Sequence, residues 1–91
     1  MNKVFENFRD HPGLRDDSTQ FVFKIDQNMY LISDGILRKI IPKAIRRTNI
    51  GEPYANLVRL EFVYADNADD EYGECVDFSP DHETELRQLI S

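Results

Sequence analysis

A run of acidic side chains near the end of the chain is the strongest chemical feature of the sequence. From Tyr64 to Glu85, nine residues are Asp or Glu and none is Lys or Arg. Because like charges repel, such a run of acids needs an explanation. It could be a metal site, a surface for a basic partner, or a solvated loop. The three interpretations make different demands on residue types and spacing.

Calcium binding requires a ligand spacing that this acidic run does not have. An EF-hand loop takes oxygen ligands at positions 1, 3 and 5, glycine at 6 and glutamate at 12. Counted from Asp66, the third position is Ala68 and the sixth is Glu71. Counted from Asp69, the twelfth position is Pro80. We therefore predict no metal site, and a solvated turn is the ordinary interpretation of these residues.

Nucleophilic catalysis would have to use Cys75, the single thiol, with one of the two histidines, His11 and His82. Nothing in their spacing places a general base beside the sulfur. One Cys and two His also fall short of a four-ligand zinc site. The sequence has no glycine-rich phosphate loop. We predict a protein that is not an enzyme and binds no cofactor.

A basic segment in the middle of the chain is the opposite feature. Residues 1–50 carry nine Lys or Arg against six Asp or Glu, whereas residues 51–91 carry two Arg against eleven acids. On a helix, the cations of the segment would form one polar stripe able to contact phosphates. These cations are Arg38, Lys39, Lys43, Arg46 and Arg47. The net charge of −6 argues against direct nucleic-acid binding.

The elements that must position these residues begin with a helix and a hairpin. Val4, Phe5 and Phe8 share a face at helical spacing, which predicts a short helix over residues 2–10. Phe21, Phe23 and Ile25 alternate with Val22 and Lys24 as in a half-buried strand. Asp26-Gln27-Asn28 is turn chemistry, and Met29 to Ile32 form the return strand.

The segment that follows supports two interpretations. Apolar pairs recur every four residues, a helical pattern that predicts a helix over residues 36–48, capped by Asp34 and kinked or restarted at Pro42. Asp34-Gly35 is also a good hairpin turn. The rival interpretation is a strand over residues 36–41 and a helix that begins at Pro42, where proline is favoured.

The last third of the sequence predicts a second hairpin and a closing helix. Val58, Leu60, Phe62 and Tyr64 share one face of a strand, and the segment YGECVDF returns with Val76 and Phe78 inward. Ser79-Pro80-Asp81 is a helix start. The core face of that helix is supplied by Leu86, Leu89 and Ile90. The predicted fold is α+β: an antiparallel sheet of about four strands with helices on one face, in the order α-β-β-α-β-β-α.

Length and composition predict one small domain over residues 1–91. A chain this short has a thin stability margin, and a homodimer interface would add to it. A single cysteine fits a reducing compartment. The sequence shows no signal peptide and no apolar run long enough for a membrane span. We therefore expect a cytoplasmic protein.

A short, acidic, cysteine-poor chain without an enzymatic motif resembles, as a class, the small inhibitors of bacteriophages and mobile elements. These include DNA-mimic anti-restriction proteins and anti-CRISPR proteins. The resemblance covers the overall size and the acidic run at residues 66–85. It implies host-defence evasion through an acidic surface that occupies a basic site. Carboxylates on alternate strand residues lie about 6.6–6.8 Å apart, near the spacing of successive phosphates.

The predicted function is therefore an inhibitor that docks on a basic, nucleic-acid-binding partner protein or nuclease complex. The predicted acidic contact comprises Asp66, Asp69, Asp70, Glu71, Glu74, Asp77, Asp81 and Glu85. The alternative is a small regulatory or assembly subunit that contacts its partner, or nucleic acid, through the basic residues 38–47.

Overall fold

The computed structural model describes residues 3–8, 19–49 and 55–90. Within them, six strands form one antiparallel sheet in which every strand pairs with the next along the chain. The elements are β1 (Val4–Glu6), β2 (Gln20–Ile25), β3 (Asn28–Ser33), β4 (Ile36–Asn49), β5 (Ala55–Tyr64), β6 (Glu74–Phe78) and α1 (Glu83–Ile90), with single 3-10 turns at Ala65–Asn67 and Pro80–His82. The prediction of four strands and three helices is therefore wrong: the sheet has six strands, and one α-helix follows it.

The predicted first helix is instead the edge strand β1, with Asn7 and Phe8 continuing beyond it and residues 2, 9 and 10 outside the described part of the chain. Phe5 is buried between exposed Val4 and exposed Glu6, an alternation with the period of a strand. Three apolar residues at helical spacing are a weak local signal, and pairing with β2 overrides it. Beyond β1, the Phe8 amide donates to the Asp77 carbonyl at 2.8 Å. This bond ties the first strand of the sheet to the last.

The predicted middle helix is instead β4, a strand of 14 residues. The hairpin turn at Asp34-Gly35 forms, with φ of 54° and 77°, values that such a tight turn requires. Pro42 has no amide hydrogen and is tolerated at an irregularity in a strand. A register shift lies between Pro42 and Ala44, so that Lys43 is an extra residue in the ladder.

This bulge explains the apparent helical period of the segment. Each apolar pair places one residue on each face of the sheet, and the extra residue returns Ile45 to the face that holds Ile40. Ile40 and Ile45 are both buried. The rival prediction of a strand over residues 36–41 was correct for that part, but no helix begins at Pro42.

The core lies on one face of the sheet, which α1 covers. Val58, Leu60 and Phe62 of β5 are buried there, as their alternation predicted. Leu86 of α1 is fully buried, and Leu89 and Ile90 pack against the core. The core cluster comprises Phe5, Val22, Met29, Leu31, Ile40, Ile45, Val58, Leu60, Phe62, Val76, Phe78 and Leu86. We call the opposite side of the sheet the outer face.

No helix within the described residues is long and apolar enough to cross a membrane.

Candidate functional site

Asp77 of the predicted acidic contact forms an ion pair with an arginine on the neighbouring strand. Arg59 and Asp77 are directly paired residues of β5 and β6 on the outer face. Arg59 Nε and Nη2 donate to the two Asp77 carboxylate oxygens at 2.8 and 3.1 Å. These hydrogen bonds raise the pKa of Arg59. The Asp77 side chain is only 9% exposed, so this ion pair holds the sheet together and offers little charge to a partner.

Two further predicted acids also have basic partners. Asp66 accepts a hydrogen bond from Arg38 at 3.0 Å, and Arg38 lies 3.4 Å from the centre of the Tyr64 ring. Partial burial raises the pKa of Tyr64, although the Arg38 charge opposes that shift. Glu85 of α1 forms an ion pair with Lys3. Asp66 and Glu85 remain largely exposed, so their pairs are weak and screened by salt.

Four acids gather at the connection between β5 and β6, which we call the acidic hairpin end: Asp69, Asp70, Glu71 and Glu74. Asp70 Oδ1 accepts the Tyr72 amide at 3.0 Å, a local turn that explains this one residue. Gly73 has a φ of 66°, and a Cβ there would lie 3.1 Å from the Phe62 carbonyl oxygen. The connection therefore folds closely over β5.

The other three acids of the hairpin end, Asp69, Glu71 and Glu74, are exposed. No ion pair to any of them is found among the described residues. Tyr72 stands between them with 93% of its surface exposed. The eighth predicted acid, Asp81, is an exposed residue of the 3-10 turn before α1, and its amide bonds the Ser79 hydroxyl.

A shallow groove of about 470 Å³ runs beside this hairpin end. Its lining mixes the cations Lys43 and Arg59 with the carboxylates Glu71 and Glu74, and includes Cys75. Although Cys75 is exposed, the surrounding protein partly desolvates its thiol and raises its pKa. A raised pKa lowers the fraction of thiolate at neutral pH, which is the reverse of what an activated nucleophile needs.

His82 lies on the core side of the sheet, whereas Cys75 lies on the outer face. The histidine packs edge-on against Phe5, with ring centres 5.6 Å apart. His11 lies outside the described residues. Within the part of the chain that the structure describes, no group of three or more His, Cys, Asp or Glu side chains could hold a metal ion.

The basic segment does not form the single stripe that a helix would have given. Because successive side chains of a strand alternate, Arg38 and Arg47 point to the core side, whereas Lys39 and Arg46 point to the outer face. Lys43 is the extra residue of the bulge.

The arginines of β4 form ion pairs with acids of the same chain. Arg46 donates to Glu61 at 2.6 Å, and this bond raises the pKa of Arg46. Arg47 lies 2.7 Å from Glu83 at the start of α1. Lys39 and Lys43 form no ion pair with another described residue.

Together these residues define a small antiparallel β-sheet domain, closed on one face by a helix, with an acidic hairpin end. Comparison of the chain with protein-family models, with curated proteins and with solved structures finds no match.

Reasoning from sequence missed two features: the Arg59–Asp77 pair and the exposed Tyr72. Arg59 and Asp77 each stand one position away from inward-facing residues, Leu60 and Val76, so their shared face could have been inferred. The exposure of Tyr72 had no signal in the sequence.

Proposed function

We propose that the chain is a cytoplasmic, non-enzymatic interaction protein. Its acidic hairpin end docks on a basic, nucleic-acid-binding surface of a partner protein and blocks that surface. The observation that carries this proposal is the contrast among the acids. Asp77 forms an internal ion pair, whereas Asp69, Glu71 and Glu74 are exposed and form no ion pair with another described residue.

Acids gathered at one end of a hairpin, with no ion pair to another residue in the described part of the chain, repel each other and do not stabilise the fold. A cationic partner converts that repulsion into attraction and steers the encounter, so association is fast and salt-sensitive. The exposed Tyr72 ring among these acids adds a flat apolar surface on which an arginine of the partner can stack. The acids lie on a turn, so the proposal rests on their charge and not on the regular spacing of carboxylates along a strand.

The thiol chemistry supports a role without catalysis. Cys75 has a raised pKa, and His82 is packed on an aromatic ring. Neither residue has the environment of a nucleophile or of its general base.

A matched pair of triple variants tests the proposal at equal net charge. The first, Asp69→Asn with Glu71→Gln and Glu74→Gln, neutralises the unpaired acids. The second, Asp66→Asn with Asp81→Asn and Glu85→Gln, removes the same number of charges elsewhere. Partners captured from the producing cells would be purified, and their affinity for each variant measured at several salt concentrations.

We expect the first variant to bind at least about tenfold more weakly with a shallower salt dependence, and the second to change affinity less than about threefold. Nucleic acid added to the complex should displace the chain from its partner. Equal effects of the two variants, or simultaneous binding of nucleic acid and chain, would contradict the proposal.

The alternative, a regulatory subunit that binds through the basic segment, is favoured by one observation: Lys43 protrudes at a bulge and has no ion pair among the described residues. Lys43→Glu separates the two functions. It abolishes partner binding if the basic segment is the contact and leaves binding intact if the acidic hairpin end is.

A further inference from the structure

The outer face of β1 to β4 is an apolar surface on an otherwise highly charged protein. Two cross-strand rows build it. One row runs Val4, Phe23, Tyr30, Lys39, and the other runs Glu6, Phe21, Ile32, Leu37. Directly paired residues of adjacent strands point to the same side, so all eight side chains share this face. We call its six uncharged members, Val4, Phe21, Phe23, Tyr30, Ile32 and Leu37, the apolar outer face.

These side chains are only partly covered. Val4 is 53% exposed and Leu37 is 56% exposed. Phe21, Phe23, Tyr30 and Ile32 between them are half-buried. The Phe23 and Tyr30 rings are stacked, with centres 5.8 Å apart and an angle of 25° between their planes. A contiguous patch of this kind marks an interaction surface.

The charges around the patch indicate what covers it. The chain has a net charge of −6, so two copies repel each other unless they meet through a surface that carries no net charge. Among the described residues of the two rows, the charged members are Glu6 and Lys39, at opposite corners. Three strand spacings and two residues separate them, about 16 Å, so Glu6 and Lys39 of one copy do not pair with each other.

We propose that a second copy of this chain covers the apolar outer face, in a symmetric face-to-face dimer. A two-fold axis that passes through the centre of the patch, perpendicular to the line from Glu6 to Lys39, exchanges these two corners. Each Glu6 then meets Lys39 of the partner subunit, and Phe23 and Ile32, which lie near the axis, meet their own equivalents. The surface is self-complementary in charge, as a two-fold interface requires.

The size of the patch sets the strength of the dimer. Four strands across and about four residues along cover roughly 260 Å² of sheet per copy. Stable complexes bury about 800 Å² per partner, so this interface belongs to the weak, reversible class. We expect a dissociation constant of about 10–100 μM, and therefore a monomer–dimer equilibrium that shifts over ordinary working concentrations.

Sedimentation velocity of the full chain from about 5 μM to 1 mM, with two variants at neighbouring positions, tests the dimer. Leu37→Asp places a charge on the apolar outer face. Ile36→Asp places the same charge one residue away on the opposite face, where Ile36 is 63% exposed. We expect Leu37→Asp to remain monomeric throughout and Ile36→Asp to dimerise within about threefold of the original affinity.

The corner charges provide the sharper test. Lys39→Glu and Glu6→Lys should each weaken the dimer about tenfold, because each puts two like-charged contacts into the interface. The double variant should restore the affinity to within about threefold. Circular dichroism confirms the fold of every variant.

A protein that stays monomeric at 1 mM would overturn the proposal and leave the face to a different partner. A dimer that ignores Leu37→Asp, or a double variant without rescue, would overturn it as well. None of these results depends on the acidic hairpin end, so this proposal and the proposed function fail separately.

Discussion

The outer face of the sheet has two halves that differ in how many charged side chains they carry. Over β1 to β4 it is apolar, with charges at two corners. Over β4 to β6 it carries directly hydrogen-bonded ion pairs, Arg46 with Glu61 and Arg59 with Asp77. The difference teaches that charge density alone does not indicate which groups of this protein are available to a partner. In the charged half, the arginines and carboxylates are paired with each other. The apolar half leaves apolar side chains partly exposed, and the acidic hairpin end leaves carboxylates exposed.

The bulge in β4 marks the boundary between the two halves. Before the bulge in the sequence, the outward residues include Leu37 and Ile41, and after it they include Ala44 and Arg46. One extra residue changes which side chains face outward, because the side-chain period of a strand is two. Because Lys43 takes no place in the alternation, Ile45 stays on the core face although it lies five residues after Ile40.

Replacing Ile45 should have the largest effect, because the bulge places its side chain in the core. Ile45→Lys buries a charge, and we expect a loss of more than about 4 kcal/mol in the free energy of unfolding, so that urea titration followed by circular dichroism shows no cooperative transition. Ala44→Lys places the same charge one residue earlier on the outer face, directly opposite Glu61, and should change the free energy by less than about 1 kcal/mol. A strand without the bulge would turn Ala44 inward and Ile45 outward, so the reverse order of the two effects would show that β4 has no bulge.

Within the charged half, the two ion pairs should differ in proportion to their burial. Arg59→Ala leaves the Asp77 carboxylate, with a side chain 9% exposed, without its donors, and we expect a loss of about 2 kcal/mol in the free energy of unfolding. Arg46→Ala breaks a pair whose arginine side chain is 68% exposed, and we expect no measurable change. Urea unfolding measures both. Equal losses would show that burial does not distinguish the two pairs.

How much of this architecture the sequence could predict depends on the range of the interactions involved. The alternation of Val58, Leu60 and Phe62 is local and strong, and it identified β5 and its core face. The helix start at Ser79 and Pro80 was identified too, one 3-10 turn before α1 proper. β1 could not be identified, because three residues form a strand only through pairing with β2.

β4 was predicted wrongly for a more specific reason. Its bulge places Ile40 and Ile45 five residues apart on one face, and apolar pairs on both faces imitate a helical period. For the site, the sequence located the acids but could not say which of them had partners. That depends on Lys3, Arg38 and Arg59, which reach Glu85, Asp66 and Asp77 across long stretches of chain.

The smallest predicted effect compares an acid that has partners with one that does not. Glu83 accepts hydrogen bonds from Arg47 and Arg87, which lower its pKa from the ordinary value of 4.5. A depressed folded-state pKa contributes stability above the ordinary value, and that stability is lost as the pH falls through the lowered value. Glu83→Gln should therefore lower the melting temperature slightly at pH 7, and its curve should converge with that of the original protein in acid. Glu71→Gln removes the same charge from an acid without an ion pair among the described residues, and we expect no lowering at pH 7. Melting temperatures from pH 2.5 to 7 decide the matter: a constant gap between Glu83→Gln and the original protein would mean that the Glu83 ion pairs contribute nothing that titrates.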